Sequence, residues 1–121
     1  MAVSQEALGF ASGTTIFKDT NNANAPIVVK SSSATVYVLD LDNSANGAAS
    51  YVKFYNTAGA VVVGTTIPDE VILLPASTIV KLAYVGGKIF GTGLQVATVT
   101  AGGTAGNTSP SSAVVVQIVY V

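Results

Sequence analysis

The sequence contains no cysteine, histidine, tryptophan or arginine. Cysteine and histidine supply most protein nucleophiles, general bases and transition-metal ligands. Their absence excludes thiolate chemistry, an imidazole-based serine triad and the usual zinc, haem or iron–sulfur sites. We therefore expect a protein that is not an enzyme and has no cofactor and no metal site.

Charge is scarce as well. Five lysines and six carboxylates give a net charge of −1, and charged residues make up 9% of the chain. Without arginine there is no bidentate donor for phosphate or guanine, and the scattered lysines form no basic stripe, so nucleic acid is not an expected partner. Half of the residues are hydrophobic. With little net charge to keep copies apart, we expect a homo-oligomer.

Long hydrophobic runs are also missing. No stretch approaches the 18 apolar residues typical of a membrane span, so no membrane association is expected. The opening "MAVSQEALGF" lacks the basic start and apolar run of a secretory signal.

Glycine is abundant in "GGKIFGTGLQVATVTAGGTAGN", but not in a phosphate-binding pattern. Gly87-Lys88 is followed by Ile89 where a P-loop needs Ser or Thr, and Val96 stands where the third glycine of the dinucleotide motif would be. These glycines are interpreted as turn residues of a β-protein.

Short apolar segments with alternating patterns and turn residues between them predict an all-β fold with seven to nine strands. We expect an antiparallel β-sandwich, jelly-roll-like or immunoglobulin-like, with a closed barrel as the alternative. Residues 1–25 are expected to be an N-terminal arm or edge strand, and residues 26–121 the sandwich domain. "KDTNNANAP" is predicted as a polar loop, "TAGAVVVGT" as a strand, and Gly86-Gly87 as a turn between two strands.

The final segment, "AVVVQIVYV", is apolar on both faces, so it is expected at the centre of its sheet or beneath a partner subunit. Period-two alternation elsewhere assigns the residues that face the core. The expected core residues are Tyr37, Leu39, Leu41, Val52, Phe54, Leu82, Tyr84, Val96, Val116 and Ile118.

The segment "YVKFYN" places Val52 and Phe54 on one face and Tyr51, Lys53 and Tyr55 on the other. The second group is expected on the outer face, as a subunit interface or as an aromatic platform for a glycan.

Two clusters of carboxylates are candidates for a calcium site and for a catalytic pair, and neither matches the pattern that such a site requires. Asp40, Asp42 and Asn43 offer three oxygens where Ca²⁺ takes six to eight. Asp69 and Glu70 are neighbours on an extended chain, so they point apart instead of facing each other as glycosidase carboxylates do. No small-molecule substrate is expected.

The stretch from about Tyr51 to Val121 resembles small β-sandwich virion proteins of tailed bacteriophages. The resemblance lies in "YVKFYN", the "LLPAS" break, "GKIFGTGLQVA", the Ala/Gly/Thr-rich loop "TAGGTAGN" and the terminal valine strand. These marks cover somewhat over half of the chain and contain turns and core positions only.

The resemblance implies a structural virion protein, a capsid decoration or cement subunit, commonly a trimer, that contacts the major capsid protein. It implies a virion location after assembly in the host cytoplasm. Relatives of this kind also occur in tails and fibres, so the alternative is a module that binds a host glycan or receptor through Tyr51 and Tyr55.

Overall fold

A computed structural model of the protein describes residues 13–121. The described residues contain eight strands and no helix. In chain order the strands are β1 (Thr15–Asn22), β2 (Ile27–Lys30), β3 (Ala34–Asp42), β4 (Ser50–Tyr55), β5 (Glu70–Leu74), β6 (Ile79–Phe90), β7 (Leu94–Val99) and β8 (Val114–Tyr120). Helices with the length and hydropathy of a membrane span are absent from this part of the chain.

The strands form two antiparallel four-stranded sheets that pack face to face. The first sheet has the order β1-β8-β3-β6 and the second has the order β2-β7-β4-β5. β1 pairs with β8, β2 with β7, β3 with β6 and β4 with β5, as in a long hairpin rolled into a sandwich. This is the strand order of an eight-stranded jelly roll. The predicted all-β sandwich is confirmed, and of the architectures considered the jelly roll is the one observed.

The core lies between the inner faces of the two sheets. β8 contributes Val114, Val116 and Ile118 and is central in the first sheet, between β1 and β3, as its two-sided apolar pattern predicts. Seven of the predicted core residues lie in this buried cluster. They are Leu39, Leu41, Val52, Phe54, Val96, Val116 and Ile118.

The other three predicted core residues are less buried. Tyr37 is not in the core. The register of β3 shifts between Val36 and Val38, so the buried residues Val36 and Leu39 are separated by two residues instead of one. Leu82 lies beside Leu39 on β6, but the position is 37% exposed because β6 is an edge strand. Tyr84 is partly buried and packs against the core.

Three predictions of local structure are wrong. Gly86 and Gly87 do not separate two strands; they have positive φ inside the continuous strand β6, where residues 84–87 bulge opposite Tyr37. Val61–Val63 form no strand but part of a loop. The expected polar loop begins later, because Lys18–Asn22 continue β1.

The predicted N-terminal arm or edge strand corresponds, in its described part, to β1 at the edge of the first sheet. Residues 1–12 of that prediction lie outside the described residues.

The bulge in β6 gives a direct test of the fold. Gly86 and Gly87 have φ values of 79° and 86°, which residues with a side chain rarely adopt. A Cβ on Gly86 would meet nothing within 4 Å, whereas one on Gly87 would lie 2.5 Å from Thr35 Cγ2 and 2.9 Å from Tyr37 Cε1. We expect Gly86→Ala to cost about 1–2 kcal/mol from backbone strain. Gly87→Ala should cost about 1–3 kcal/mol more from overpacking.

Urea denaturation of both variants measures the two costs. Equal destabilisation would contradict the close packing of Thr35 and Tyr37 over Gly87.

Candidate functional site

The outer face of the second sheet holds the three residues predicted to contact a glycan or a partner. Tyr51, Lys53 and Tyr55 do point away from the core, opposite to Val52 and Phe54. However, Lys53 and Tyr55 are fully buried and Tyr51 is half-buried. The expectation of an exposed platform is therefore wrong. The chain itself covers this face, with the β4–β5 loop (residues 56–69) and the β7–β8 loop (residues 100–113).

Lys53 holds the β7–β8 loop against the sheet. Its Nζ donates hydrogen bonds to the carbonyl oxygens of Gly103 at 2.6 Å and Gly106 at 2.7 Å, with the Thr104 carbonyl oxygen at 3.4 Å. The loop backbone also approaches the Tyr51 ring, since a Cβ on Gly102 would lie 2.9 Å from it. Because its residues are small, the "TAGGTAGN" segment can lie close against the outer face of the second sheet and cover it.

The burial of Lys53 disfavours the charged form of its side chain. Removal from water lowers the pKa of the Lys53 ammonium, because the charged form is the one that loses hydration. Charge-assisted hydrogen bonds to carbonyls return about 1.5–3 kcal/mol each, against a desolvation cost of several kcal/mol for a buried ion. The net gain is small, so the contact fixes the position of the loop more than it adds stability.

The β4–β5 loop is held in a similar way by polar groups of the second sheet and its turns. Gln95 Nε2 on β7 donates to the carbonyl oxygens of Thr57 at 3.1 Å and Gly59 at 2.6 Å. Asn56 Oδ1 accepts from the amide of Thr92 at 2.9 Å. The buried hydroxyl of Tyr55 has no hydrogen-bond partner among the described residues, and burial raises its pKa. Tyr55 therefore acts as a packing side chain.

A buried amide network joins three loops at one end of the sandwich. Asn43 Nδ2 donates to the carbonyl oxygens of Ala48 and Pro75, and Asn43 Oδ1 accepts from Asn46 Nδ2 at 2.9 Å and Ser50 Oγ at 2.8 Å. Asn46 is bonded in both directions to the backbone of Ser112. These side chains use their polar groups inside the protein, so this end of the molecule is a structural junction.

The acidic residues near this junction do not form a cation site. Asp42 Oδ1 accepts the Ser44 amide at 2.8 Å, and the hydrogen bonds from Ser44 lower the pKa of Asp42. Asp40 pairs with Lys81 at 3.9 Å. Within residues 13–121 no three His, Cys, Asp or Glu side chains cluster to hold a metal.

The other carboxylate pair also separates. Asp69 Oδ2 accepts the amide of Asn56 at 2.6 Å, whereas Glu70 turns towards β6. Glu70 Oε1 accepts from the Tyr84 hydroxyl at 2.7 Å, and Glu70 Oε2 lies 2.6 Å from Lys88 Nζ. Because β5 and β6 belong to different sheets, the Glu70–Tyr84–Lys88 cluster ties the two sheets together at their shared edge.

A narrow gap beside this cluster leaves no room for a ligand. It lies between the sheets, close to Glu70, Tyr84 and the Phe54–Phe90 ring pair, whose centroids are 6.3 Å apart. Burial and the Glu70 carboxylate raise the pKa of Tyr84 far above its usual value. The Glu70–Tyr84–Lys88 cluster therefore connects the two sheets, and its groups do not form an exposed acid–base pair.

Exposed apolar side chains are the most prominent surface feature of the described residues. Twelve large hydrophobic residues are exposed, and half of them lie on β5 and β6, the two edge strands that meet at one side of the sandwich. We call this side the β5–β6 edge surface. It comprises Val71, Leu73, Ile79, Leu82, Val85 and Ile89.

Sequence reasoning missed the polar residues that fix the loops, namely Asn43, Asn46 and Gln95, and the cluster around Glu70. One local signal was present for Lys53, because a lysine between apolar strand residues in "YVKFY" needs a partner if that face is covered. The covering itself depends on a loop 50 residues further along the chain.

Comparison with known proteins adds no family assignment: no protein-family model matches the chain, and no curated protein sequence matches it.

Replacing Lys53 tests whether its contacts hold the loop. Lys53→Met keeps the aliphatic stem but takes away the donor of the Gly106 carbonyl group and leaves the Gly103 carbonyl group with the Gly106 amide as its donor. We expect a loss of about 1–3 kcal/mol in the free energy of unfolding, since a covered acceptor that loses its donor costs about that much. Amide hydrogen exchange in residues 100–113 should become faster.

Lys81→Met is the matched control, because it removes the same charge from an exposed side chain. Its effect should stay within about 0.5 kcal/mol. Similar behaviour of the two variants in both measurements would refute the structural role of Lys53.

The cluster at Tyr84 makes stability depend on alkaline pH. The pKa values of Tyr84 and Tyr55 are raised above 10 in the folded protein, so above pH 10 the folded chain keeps protons that the unfolded chain releases. The free energy of unfolding should therefore fall as pH rises through 10. Lys53 contributes in the opposite sense, because its folded pKa lies below 10.5.

Comparing wild type with Tyr84→Phe in urea from neutral to strongly alkaline pH cancels the contributions of Lys53 and Tyr55. The variant should show the shallower decline above pH 10. Parallel curves would mean that the Tyr84 hydroxyl does not hold its proton through Glu70.

Proposed function

We propose that this protein is a structural virion subunit of a tailed bacteriophage, a capsid decoration or cement protein that stabilises the head through apolar and backbone contacts. It acts as a homo-oligomer on the major capsid protein, and a trimer is the state that the resemblance implies. The observation that supports it best is the exterior: large hydrophobic residues are exposed on a sandwich in which Lys53, Asn46 and Glu70 use their polar groups within the chain.

The fold supports the proposal by analogy. Jelly rolls occur in viral capsid domains, and they also occur in lectins and cupins, so the fold alone does not select among these functions. The site residues give a reason to prefer a scaffold. The polar side chains of Lys53, Gln95, Asn43, Asn46 and Glu70 anchor loops or join sheets, whereas a lectin needs several polar groups aimed at a ligand.

The mechanism is additive. Each subunit contributes a contact of a few kcal/mol across a seam between capsomers, and many copies bound to one shell stabilise it by mass action and multivalency. Apolar contacts suit this role because they need no matching charge and weaken little with ionic strength.

The alternative function, glycan or receptor binding on a tail or fibre, was expected to use Tyr51 and Tyr55. With Tyr55 buried and Tyr51 half covered by the loop at Gly102, these residues form no open stacking surface. A receptor module would have to use another part of the protein.

Adding the purified protein to expanded capsids that lack it tests the proposal. We expect saturable binding, measured by co-sedimentation with the capsids, and a higher melting temperature of the loaded capsids by differential scanning calorimetry. Tail tubes and fibres from the same virus serve as control particles. Binding to tails alone, or no shift in capsid melting at saturation, would reject the cement function.

A further inference from the structure

The β5–β6 edge surface combines two features that favour association. β6 and β5 are the last strands of their sheets, so each has one edge with no neighbouring strand among residues 13–121. Such edges present unpaired backbone donors and acceptors to any strand that can align with them. β6 has 12 residues but pairs along the nine residues Ala34–Asp42 of β3, so its edge is about 30 Å long.

The bulge in β6 creates the most exposed apolar group of this surface. Lys88 pairs with Val36 and Ala83 pairs with Val38, so residues 84–87 loop out opposite a single residue of β3. Val85 lies in this bulge and is fully exposed. The segment Ile79–Ala83 before the bulge remains regular and is the part of the edge that another strand can extend.

The charges of this surface favour an identical partner over an oppositely charged one. β5 and β6 carry three charged residues, and each pairs within the chain: Glu70 with Lys88 at 2.6 Å, and Lys81 with Asp40 at 3.9 Å. Two identical surfaces can therefore meet without unbalanced like charges, whereas a charged partner protein would find little net charge to recognise.

The size of the surface also suits a stable contact. The edge of a sandwich is about 20 Å wide when the 10 Å sheet separation and the side chains are included, so a 30 Å edge gives roughly 600 Å² per partner. This is at the lower end of the area that a specific interface of standard size buries on each side, about 600–1,000 Å².

We propose that two copies of the chain associate through the β5–β6 edge surface, with the β6 strands paired antiparallel about a two-fold axis. The pairing satisfies the open backbone groups of both edges and covers Ile79, Leu82 and Val85 of each copy. It rests on the homo-oligomer part of the proposed function, and it gives an even-numbered assembly in place of the trimer that the resemblance implies.

Single cysteine substitutions test the pairing, because the natural sequence has no cysteine and each introduced thiol is the only one in the chain. We would place cysteine at Ile79, Ala83 or Val85 on β6. The controls are Ile16→Cys on β1, at the far edge of the same sheet, and Val62→Cys in the β4–β5 loop. The control positions are 62% and 59% exposed.

Under mild oxidation, at least one β6 variant should form disulfide dimers roughly tenfold faster than both controls or more, because pairing raises the effective thiol concentration. Non-reducing gel electrophoresis measures the rates. Equal rates at all positions, or faster crosslinking through Ile16 or Val62, would overturn the proposal.

A charge placed on the bulge gives a second test. Val85→Lys should sediment as a monomer at concentrations where wild type and Val62→Lys are dimers, because pairing would cover the added ammonium group and remove it from water. Val85 is fully exposed, so the substitution should leave the free energy of unfolding within about 0.5 kcal/mol. A wild-type monomer at all concentrations, or a trimer, would refute the two-fold pairing.

These results are distinguishable from failure of the proposed function. If Val85→Lys is monomeric and still binds expanded capsids, both proposals stand and dimerisation is not needed for binding. If wild type dimerises through β6 but binds no particle, the pairing stands and the cement function fails.

Discussion

The structure depends on the pairing of the first described strand with the last. β8 lies between β1 and β3, and the backbone groups of Thr35 and Val121 exchange two hydrogen bonds of 3.0 Å. The first sheet therefore has no continuous core until the final strand is in place. Most contacts join residues distant in sequence, which requires large loops to close before the contacts stabilise them. The apolar content of β8 on both faces provides the burial that offsets this entropy.

This topology explains which features the sequence could predict. Period-two alternation depends only on local geometry, so the core positions of β4, β7 and β8 follow directly from the residue pattern. Tyr37 shows the limit of that argument, because residues 84–87 of β6 form a bulge opposite it and the phase of β3 changes at that point. Leu82 shows a second limit. Alternation gives the direction of a side chain, but exposure also depends on whether the strand is at an edge.

The loops were harder to predict for a different reason. Glycine and alanine in "TAGGTAGN" correctly indicate an irregular segment, but the same composition suits an exposed loop and one that lies flat on a sheet. The deciding residue, Lys53, is distant in sequence. The same holds for Glu70, whose partners Tyr84 and Lys88 come from the opposite sheet. Most charged residues within residues 13–121 are bonded inside the fold, so few unpaired charges remain on the exterior.

The buried position of Lys53 also has a chemical consequence. An amine-reactive reagent modifies lysines in water far faster than lysines shielded by protein, and four of the five lysines of this chain are at least partly exposed. Lys53 becomes accessible only when residues 100–106 lift from the sheet. Its acylation rate under native conditions would therefore report how often this glycine-rich cover opens, which makes one amine a built-in probe of local unfolding.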